Sequence, residues 1–323
     1  MVSIGNLTVG GTGKTPLTRY LARLFQGAGC KVAILSRGYG GRRRGVTCVS
    51  DGVRLHHIPP EVGEEPYELA RSLSGVAVYT GVCRYAAGLA AWEAQRPEIF
   101  LLDDGFQHFQ LHRDLDLVLL DAGSPFGNGK LLPAGPLREP VATLRQADAL
   151  ILTRFHKEQH AGGVAEMRRG FPDGPVFTAA IEPARIIQAG NGEVLPLPHL
   201  RGLPLLAFAG LARPRVFQES LAALGADLRG FQSFPDHHVF SPGELARLVE
   251  EARRQGAACL ITTAKDFARL GEVWEAEVPL LVLEVAARVE PQEKFREFVM
   301  GEIFAAGPPW RRCSIRLSAK CRW

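Results

Sequence analysis

Near the start of the chain, Thr8-Val9-Gly10-Gly11-Thr12-Gly13-Lys14-Thr15 sets closely spaced glycines beside a lysine and a hydroxyl. Gly10, Gly11 and Gly13 let successive backbone N–H groups turn inward around a polyphosphate, and the positive end of a following helix strengthens that field. Lys14 would reach the outer phosphates, and the Thr15 hydroxyl would hold Mg²⁺. The usual pattern G-x-x-x-x-G-K-[ST] asks for glycine where this chain has Thr8. A dinucleotide fingerprint starting at Gly11 fails, because Pro16 stands in place of its third glycine. Phosphoryl chemistry also needs an acid at the end of a neighbouring apolar strand to hold the metal. The run Ile99-Phe100-Leu101-Leu102-Asp103-Asp104 supplies a pair, and Gly105 turns the chain after it. Either carboxylate would serve, directly or through water, and Asp121 at the end of the next apolar run is a further alternative. His108 with His112, and His237 with His238, bring no third ligand at zinc spacing.

These residues need a scaffold, and the hydrophobic pattern supplies one. Val2–Leu7 reads as a buried strand, followed by a helix from about Gly13 to Gly27 that tolerates Pro16 in its first turn. Lys31–Ser36 is the next strand, and Val46–Val49 and Val53–His57 flank Asp51-Gly52 as a hairpin. A helix near Glu64–Leu73, a strand at Val76–Tyr79 and a helix at Val82–Gln95 follow. Ile99–Asp103 and Leu115–Asp121 are continuous apolar runs, as in parallel strands covered on both faces. A Gly/Pro-rich loop, Gly123–Pro140, leads to a helix and then to strand Ala149–Thr153. The alternation predicts a doubly wound, parallel α/β sheet over residues 1–175. Val176–Gln188 and Glu193–Leu197 flank Asn191-Gly192 as a β-hairpin hinge, about 176–197, into a smaller α/β lobe spanning 176–304. That lobe takes strands Leu205–Ala209, Asp227–Ser233 and Cys259–Thr263, with helices near Arg215–Leu224 and Pro242–Gln255. Residues 305–323 carry five basic residues and no acid and read as a disordered basic tail, with membrane-surface contact as the alternative.

Composition narrows the setting. A chain of 323 residues divides into about two domains at roughly 150 residues each. Hydrophobic residues at 46% and charged residues at 22% exclude a disordered or collagen-like chain. The net charge of +4 is too small to point to nucleic acid, and no basic and aromatic stripe supports that partner. It is compatible with an anionic small molecule or lipid headgroup. The longest uncharged apolar run, about Gly202–Ala212, falls well short of the ~18 residues of a membrane span. No signal peptide precedes the first strand. The six cysteines are scattered, with no Cys-x-x-Cys pair, which fits a reducing compartment. The expectation is a soluble intracellular protein.

Six strings together resemble one family, the tetraacyldisaccharide 4′-kinases of Gram-negative lipid A synthesis. They are Ser3–Pro16, Leu35-Ser36-Arg37-Gly38-Tyr39-Gly40, Asp103-Asp104-Gly105-Phe106-Gln107-His108, Leu131–Pro140, Phe234-Pro235-Asp236-His237-His238 and Thr262-Thr263-Ala264-Lys265-Asp266. They run in family order from about Val2 to Leu283, and Thr8 is ordinary in this family. The resemblance implies a P-loop NTPase-like core that uses ATP and Mg²⁺ to phosphorylate the 4′-hydroxyl of a tetraacyldisaccharide 1-phosphate. It also implies the site residues. An acid in the family's Gly-Asp-Glu-Pro motif serves as base, supported by the first histidine after Phe-Pro-Asp. Carried over, these are Glu64 and His237, joined in the catalytic set by Lys14 and Asp104. The motif here is Gly63-Glu64-Glu65-Pro66, so the base is one methylene longer. Glu64 and His237 fall in different lobes, so their pairing would need lobe closure. Thr8–Thr15, Gln107, His108, Arg138 and Glu139 would bind nucleotide, and Thr15, Asp103 and Asp104 would bind metal. Arg138 would clamp a phosphate bidentately or stabilise its loop. Arg37 and Arg42–Arg44 would face anionic lipid or form a solvated loop. In Val82-Cys83-Arg84, only Arg84 matches the family.

Family members usually carry an apolar, basic segment before the first strand, whereas this chain starts at the strand itself. A misassigned start, a truncation or membrane contact from elsewhere would each account for that. The expected location is peripheral, on the cytoplasmic side of the inner membrane, with the chain as given soluble; the oligomeric state is left open. Two other classes stay in view. A P-loop maturation factor or metallochaperone-like switch would need an Asn-Lys-x-Asp guanine reader, and Thr263-Ala264-Lys265-Asp266 has a different order. A catalytically weakened lipid-binding homologue is the other.

Overall fold

Apolar runs with no polar alternation can be buried only where both faces are covered, and the chain uses them as parallel strands. A computed structural model describes residues 1–155, 161–171, 173–270 and 274–305; apart from Ala305, the expected basic tail lies outside the described residues. The chain begins β1 (Val2–Asn6), α1 (Lys14–Gly27), β2 (Val32–Ser36), β3 (Thr47–Ser50), α2 (Pro59–Val62), α3 (Glu64–Ser72), β4 (Ala77–Thr80) and α4 (Arg84–Gln95). It continues with β5 (Ile99–Asp103), β6 (Leu115–Asp121), β7 (Ala149–Thr153), α5 (Ala161–Gly170) and β8 (Val176–Gln188). Then come β9 (Val194–Leu195), β10 (Pro204–Ala209), α6 (Pro214–Ala223), β11 (Asp227–Ser233), α7 (Pro242–Arg254), β12 (Cys259–Thr263), α8 (Ala264–Arg269), β13 (Leu280–Glu290) and α9 (Gln292–Phe304).

The chain forms two compact units. One holds Met1–His57, Glu61–Ile181 and the described residues from Ala286 on; the other holds Glu182–Val285 with Ile58–Pro60. In the first unit the strands run β8-β7-β6-β1-β5-β2-β4-β3. All are parallel except β3, which pairs antiparallel with β4. β1 lies between β5 and β6, with Ile4 beside Asp103 and Leu117. The glycine-rich turn after β1 therefore opens at the carboxyl ends of the strands, next to the acids that close β5, where doubly wound sheets bind ligands.

Packing beneath that edge fixes the long loop. Phe106, Phe126 and Leu137 share a buried cluster with Leu7, Val118 and Leu120. Each such side chain contributes about 1.5–3 kcal/mol on burial, so the 123–140 segment is held at both ends despite its lack of regular structure. Leu137 also pairs with Thr8, and the Val9 amide donates to Pro136 O at 2.8 Å. The helix expected after this loop is a six-residue 3₁₀ turn, Val141–Gln146.

The hairpin expected across Asp51-Gly52 is reduced to one bridge, Ser50 to Leu55. The Asp51 carboxylate accepts from the amides of Val53 and Arg54, which folds the second arm into a turn, while β3 spends its ladder on β4. The expected hairpin at Asn191-Gly192 does form, with Ile186 opposite Leu195. The boundary at 175/176 does not hold. It cuts away the start of β8, whose Val176–Ala179 pair in parallel with β7, so the first unit runs on to Ile181. Residues 286–304 also return to the first unit rather than the smaller lobe. The reason is apolar: Phe295 is fully buried, with its ring 4.9 Å from Phe177 and 6.0 Å from Tyr20.

In the second unit, β10 lies between β11 and β12, and β12 pairs with β13, all parallel. One face buries Phe208, Phe240, Leu248 and Phe267, and the other buries Phe217, Leu221 and Ile261. No helix among the described residues is long and apolar enough to cross a membrane.

Candidate active site

The turn from β1 to α1 is shaped by its glycines. Gly10 and Gly13 take φ of 114° and 90°, a region that penalises side chains. A Cβ on Gly10 or Gly11 would meet nothing within 4 Å, so the backbone there borders open space. α1 has no acidic residue in its first turn, which leaves its positive end available to an anion. Two groups brace the turn from outside: Asn6 Nδ2 donates to Gly10 O at 3.4 Å, and Arg154 Nη2 to Gly11 O at 2.6 Å.

Around this turn the charged groups sort themselves. Lys14 Nζ lies 3.5 Å from Asp104 Oδ1. Arg138 Nη1 donates to both Asp104 oxygens, at 2.9 and 2.8 Å, and reaches Gln107 Oε1 at 3.3 Å. Gln107 in turn donates to Asn6 O at 3.0 Å. Burial pushes the Asp104 carboxyl up, but Lys14 and Arg138 outweigh it and hold it below the usual carboxylate range. Asp103 is different. It is 1% exposed, and among the described residues its oxygens accept from the hydroxyls of Thr18 and Ser36, both at 3.4 Å. Burial, followed by the charge of Glu65, pushes its carboxyl well above the usual range against the opposing pull of Lys14.

A buried carboxylate with hydroxyl partners and no bound guanidinium or ammonium is chemically suited to a divalent cation. Of the two adjacent acids, Asp104 is the counter-ion of Lys14 and Arg138, whereas Asp103 keeps hydroxyl partners. Thr15 stands half-buried in the first turn of α1. The buried oxygens Asn6 Oδ1, Thr12 Oγ1 and Glu139 Oε1 have no hydrogen-bond partner among the described residues. The residues present therefore fit a Mg²⁺-nucleotide. Asp121, the further alternative, is engaged elsewhere: it pairs with Arg154 and accepts from the Gly123 amide.

Basic residues complete this side. Arg84 is 5% exposed and donates to Gly81 O at 2.8 Å. His108, half-buried, is lowered to about 4 by burial and then by Arg84, Arg113 and Arg37, so it is neutral in a strongly positive setting. The Gly-Glu-Glu-Pro motif is placed by its glycine. Gly63 has φ of 95°, and a Cβ there would lie 2.4 Å from Tyr39 O. This close approach packs the residue preceding α3 against Gly38 and Tyr39 in the loop after β2, and Ser36 at the end of β2 donates to Asp103. Lys14, Ser36, Asp103, Asp104, Gln107 and Arg138 are thus joined by direct contacts, and Glu65 acts on Asp103 through its charge.

His237 belongs to the second unit, in a turn with φ of 61°. Its side chain is 59% exposed. The Thr262–Asp266 string serves this turn structurally. Thr263 caps α8 by accepting from the Asp266 amide, and buried Asp266 accepts from the Gly210 amide at 3.1 Å and pairs with Arg269 at 2.9 Å. These groups are committed to the loop, which removes the guanine-reader alternative. Residues that sequence reasoning missed are Thr18, Glu65 and Arg154. Glu65 was adjacent to a residue already singled out, whereas Arg154, just past β7, carries no motif.

Fold and glycine turn define a P-loop phosphotransferase. A sequence model described as tetraacyldisaccharide-1-P 4′-kinase matches residues 1–303. Tetraacyldisaccharide 4′-kinases are similar at 46% identity in Syntrophobacter fumaroxidans, covering 93% of this chain and 78% of that one. The Syntrophus aciditrophicus protein of that name is 39% identical, covering 93% and 83%. The crystal structure of "apo" form LpxK from Aquifex aeolicus in complex with ATP superposes with a TM-score of 0.75 at 35% identity, covering 94% of this chain and 88% of that one. The chain belongs to the tetraacyldisaccharide-1-P 4′-kinase family and is a lipid kinase.

Proposed function

We propose that this chain transfers the γ-phosphoryl group of ATP to the 4′-hydroxyl of a tetraacyldisaccharide 1-phosphate, with the residues named above in defined roles. The observation that carries the reading is the division of labour between adjacent acids beside an open glycine turn: Asp103 is buried against the hydroxyls of Thr18 and Ser36, and Asp104 holds Lys14 and Arg138. The amides of Gly10–Thr15 hold the phosphates, and Lys14 and Arg138 exchange Asp104 for phosphate oxygens as nucleotide enters. Thr15 and Asp103 would hold Mg²⁺, and the charge of Glu65 already acts on Asp103. Bound Mg²⁺ would neutralise charge on the outer phosphates. Glu64 accepts the proton of the 4′-hydroxyl as that oxygen bonds to phosphorus and the bond to the ADP oxygen breaks. His237 keeps the supporting role that the family resemblance implies. Gln107, His108 and Glu139 complete the nucleotide and sugar contacts, and positioning of this kind accounts for much of a kinase's rate.

A tetraacylated acceptor resides in a bilayer, so we place the working enzyme at the cytoplasmic surface of the inner membrane as a peripheral protein. The exposed Arg42–Arg44 loop and Tyr39, 85% exposed, suit that surface. The test is a nucleotide panel measured with and without an acylated disaccharide 1-phosphate, with the product followed by ³¹P NMR. A new 4′-phosphomonoester formed only from ATP with Mg²⁺ is expected. Nucleotide turnover indifferent to the acceptor would overturn the reading, as would a Glu64→Gln variant with wild-type rate.

A further inference from the structure

The turn that carries His237 rests on a buried platform whose purpose the proposed roles leave unexplained. Gly210, just after β10, is tightly enclosed: a Cβ there would lie 3.1 Å from both Asp266 Oδ1 and Pro235 O, and 3.2 Å from His238 Cβ. Asp266 is fully buried, and besides the Gly210 amide it accepts from Thr263 Oγ1 at 2.7 Å. Arg269 lies on this platform with only 2% of its side chain exposed. Its Nη1 donates to Asp266 Oδ1 and to Gly210 O, each at 2.9 Å. Its Nη2 reaches 3.4 Å to Nδ1 of His237.

A guanidinium has five donors and no acceptor. The contact can therefore be a hydrogen bond only if Nδ1 of the imidazole is the acceptor, which puts the ring proton on Nε2. The bond made by one ring nitrogen decides the state of the other. An Nδ1–H tautomer would set two donors against each other, with one of them on a side chain locked by a buried carboxylate and a backbone carbonyl. Nε2 itself lies 3.8 Å from Asp236 Oδ2, on the exposed side of the turn.

We propose that Arg269 is a positioning residue that holds His237 as the neutral Nε2–H tautomer, so that the imidazole presents a hydrogen-bond donor rather than a basic lone pair at Nε2. This rests on the reading of His237 as a site residue and deepens it. A ring in that state offers Nε2–H to an acceptor oxygen. The left-handed backbone at His237 and the absence of a side chain at Gly210 serve the same end, since both fix where the ring begins.

The experiment is a long-range ¹H–¹⁵N correlation spectrum of the full chain with ¹⁵N-labelled histidine, the signals of His237 being identified by their loss in His237→Gln. At neutral pH the wild-type spectrum is expected to show Nε2 protonated and Nδ1 bare. In Arg269→Gln the tautomers should redistribute, and kcat should fall roughly tenfold to a hundredfold with the KM for ATP unchanged; Arg269→Lys should restore part of both. An Nδ1–H signal in the wild type overturns the proposal, and so does an unaltered spectrum in a folded Arg269→Gln. The wild-type spectrum decides the matter even if the variants fail to fold. Full turnover in His237→Gln together with the expected tautomer would instead remove His237 from the site, while the hold by Arg269 would stand.

Discussion

Asp104→Asn separates the roles of the two acids. Asp104 has φ of 55°, a conformation that asparagine adopts as readily as aspartate, so the substitution removes charge while leaving the backbone unstrained. At an effective dielectric constant of ~20, unit charges at the Lys14–Asp104 spacing of 3.5 Å attract by about 5 kcal/mol before desolvation and screening. Lys14 is 10% exposed and Asp104 34%, so solvent reduces the net interaction of the carboxylate with its two cations to about 1–2 kcal/mol in all. Nucleotide must break those pairs when it binds, and it must also approach the carboxylate. Without the carboxylate, both costs disappear. The expected result is ATP binding tighter by about 5- to 30-fold, measured by calorimetric titration with Mg²⁺. Turnover should move the other way, falling at least ~100-fold, or about 2.7 kcal/mol of barrier, because the released carboxylate belongs to the proposed catalytic set and its charge is lost beside Asp103. Weaker ATP binding in this variant, with turnover retained, would refute the assignment of Asp104 as the resting partner of these cations.

The depressed His108 should show in acid unfolding. Its folded value of about 4 lies below the ordinary value near 6.5, so the unfolded chain takes the proton first. Its contribution is complete above about 6.5 and is lost as pH falls toward 4; His108→Gln should flatten that part of the urea midpoint curve, and an unchanged slope would count against the arginine-rich setting. Phe295→Ala should destabilise the first unit by about 3–5 kcal/mol in urea unfolding, because its buried ring fills the space against Phe177 and Tyr20. A loss below about 1 kcal/mol would mean that α9 is not part of that core.

The glycine turn and the acids closing β5 could be read from sequence because their chemistry demands fixed types at fixed spacing, and β5, β6, β7 and β12 have the bounds their apolar runs suggest. What stayed hidden depended on distant partners. Asp103 and Asp104 are identical in type and adjacent, and only the placement of Arg138, carried by a loop paired with Thr8 and Val9, tells them apart. Arg154 gains its role from the fold alone. The 280–304 stretch was not read as strand and helix, since the partners of Phe295 lie more than a hundred residues away. Asp51-Gly52 carried a hairpin signal, but the Asp51 side chain bound its own backbone instead.

The return of the chain to the first unit after Val285 has a practical corollary for anyone dissecting the enzyme. The nucleotide-handling half is discontinuous, so no single stop codon isolates it. A fragment ending at Ile181 lacks the aromatic ring that seals α1 and β8, and it would expose apolar surface to solvent. Isolating that half calls for excising the intervening segment and splicing a short linker between the residues near 181 and 286.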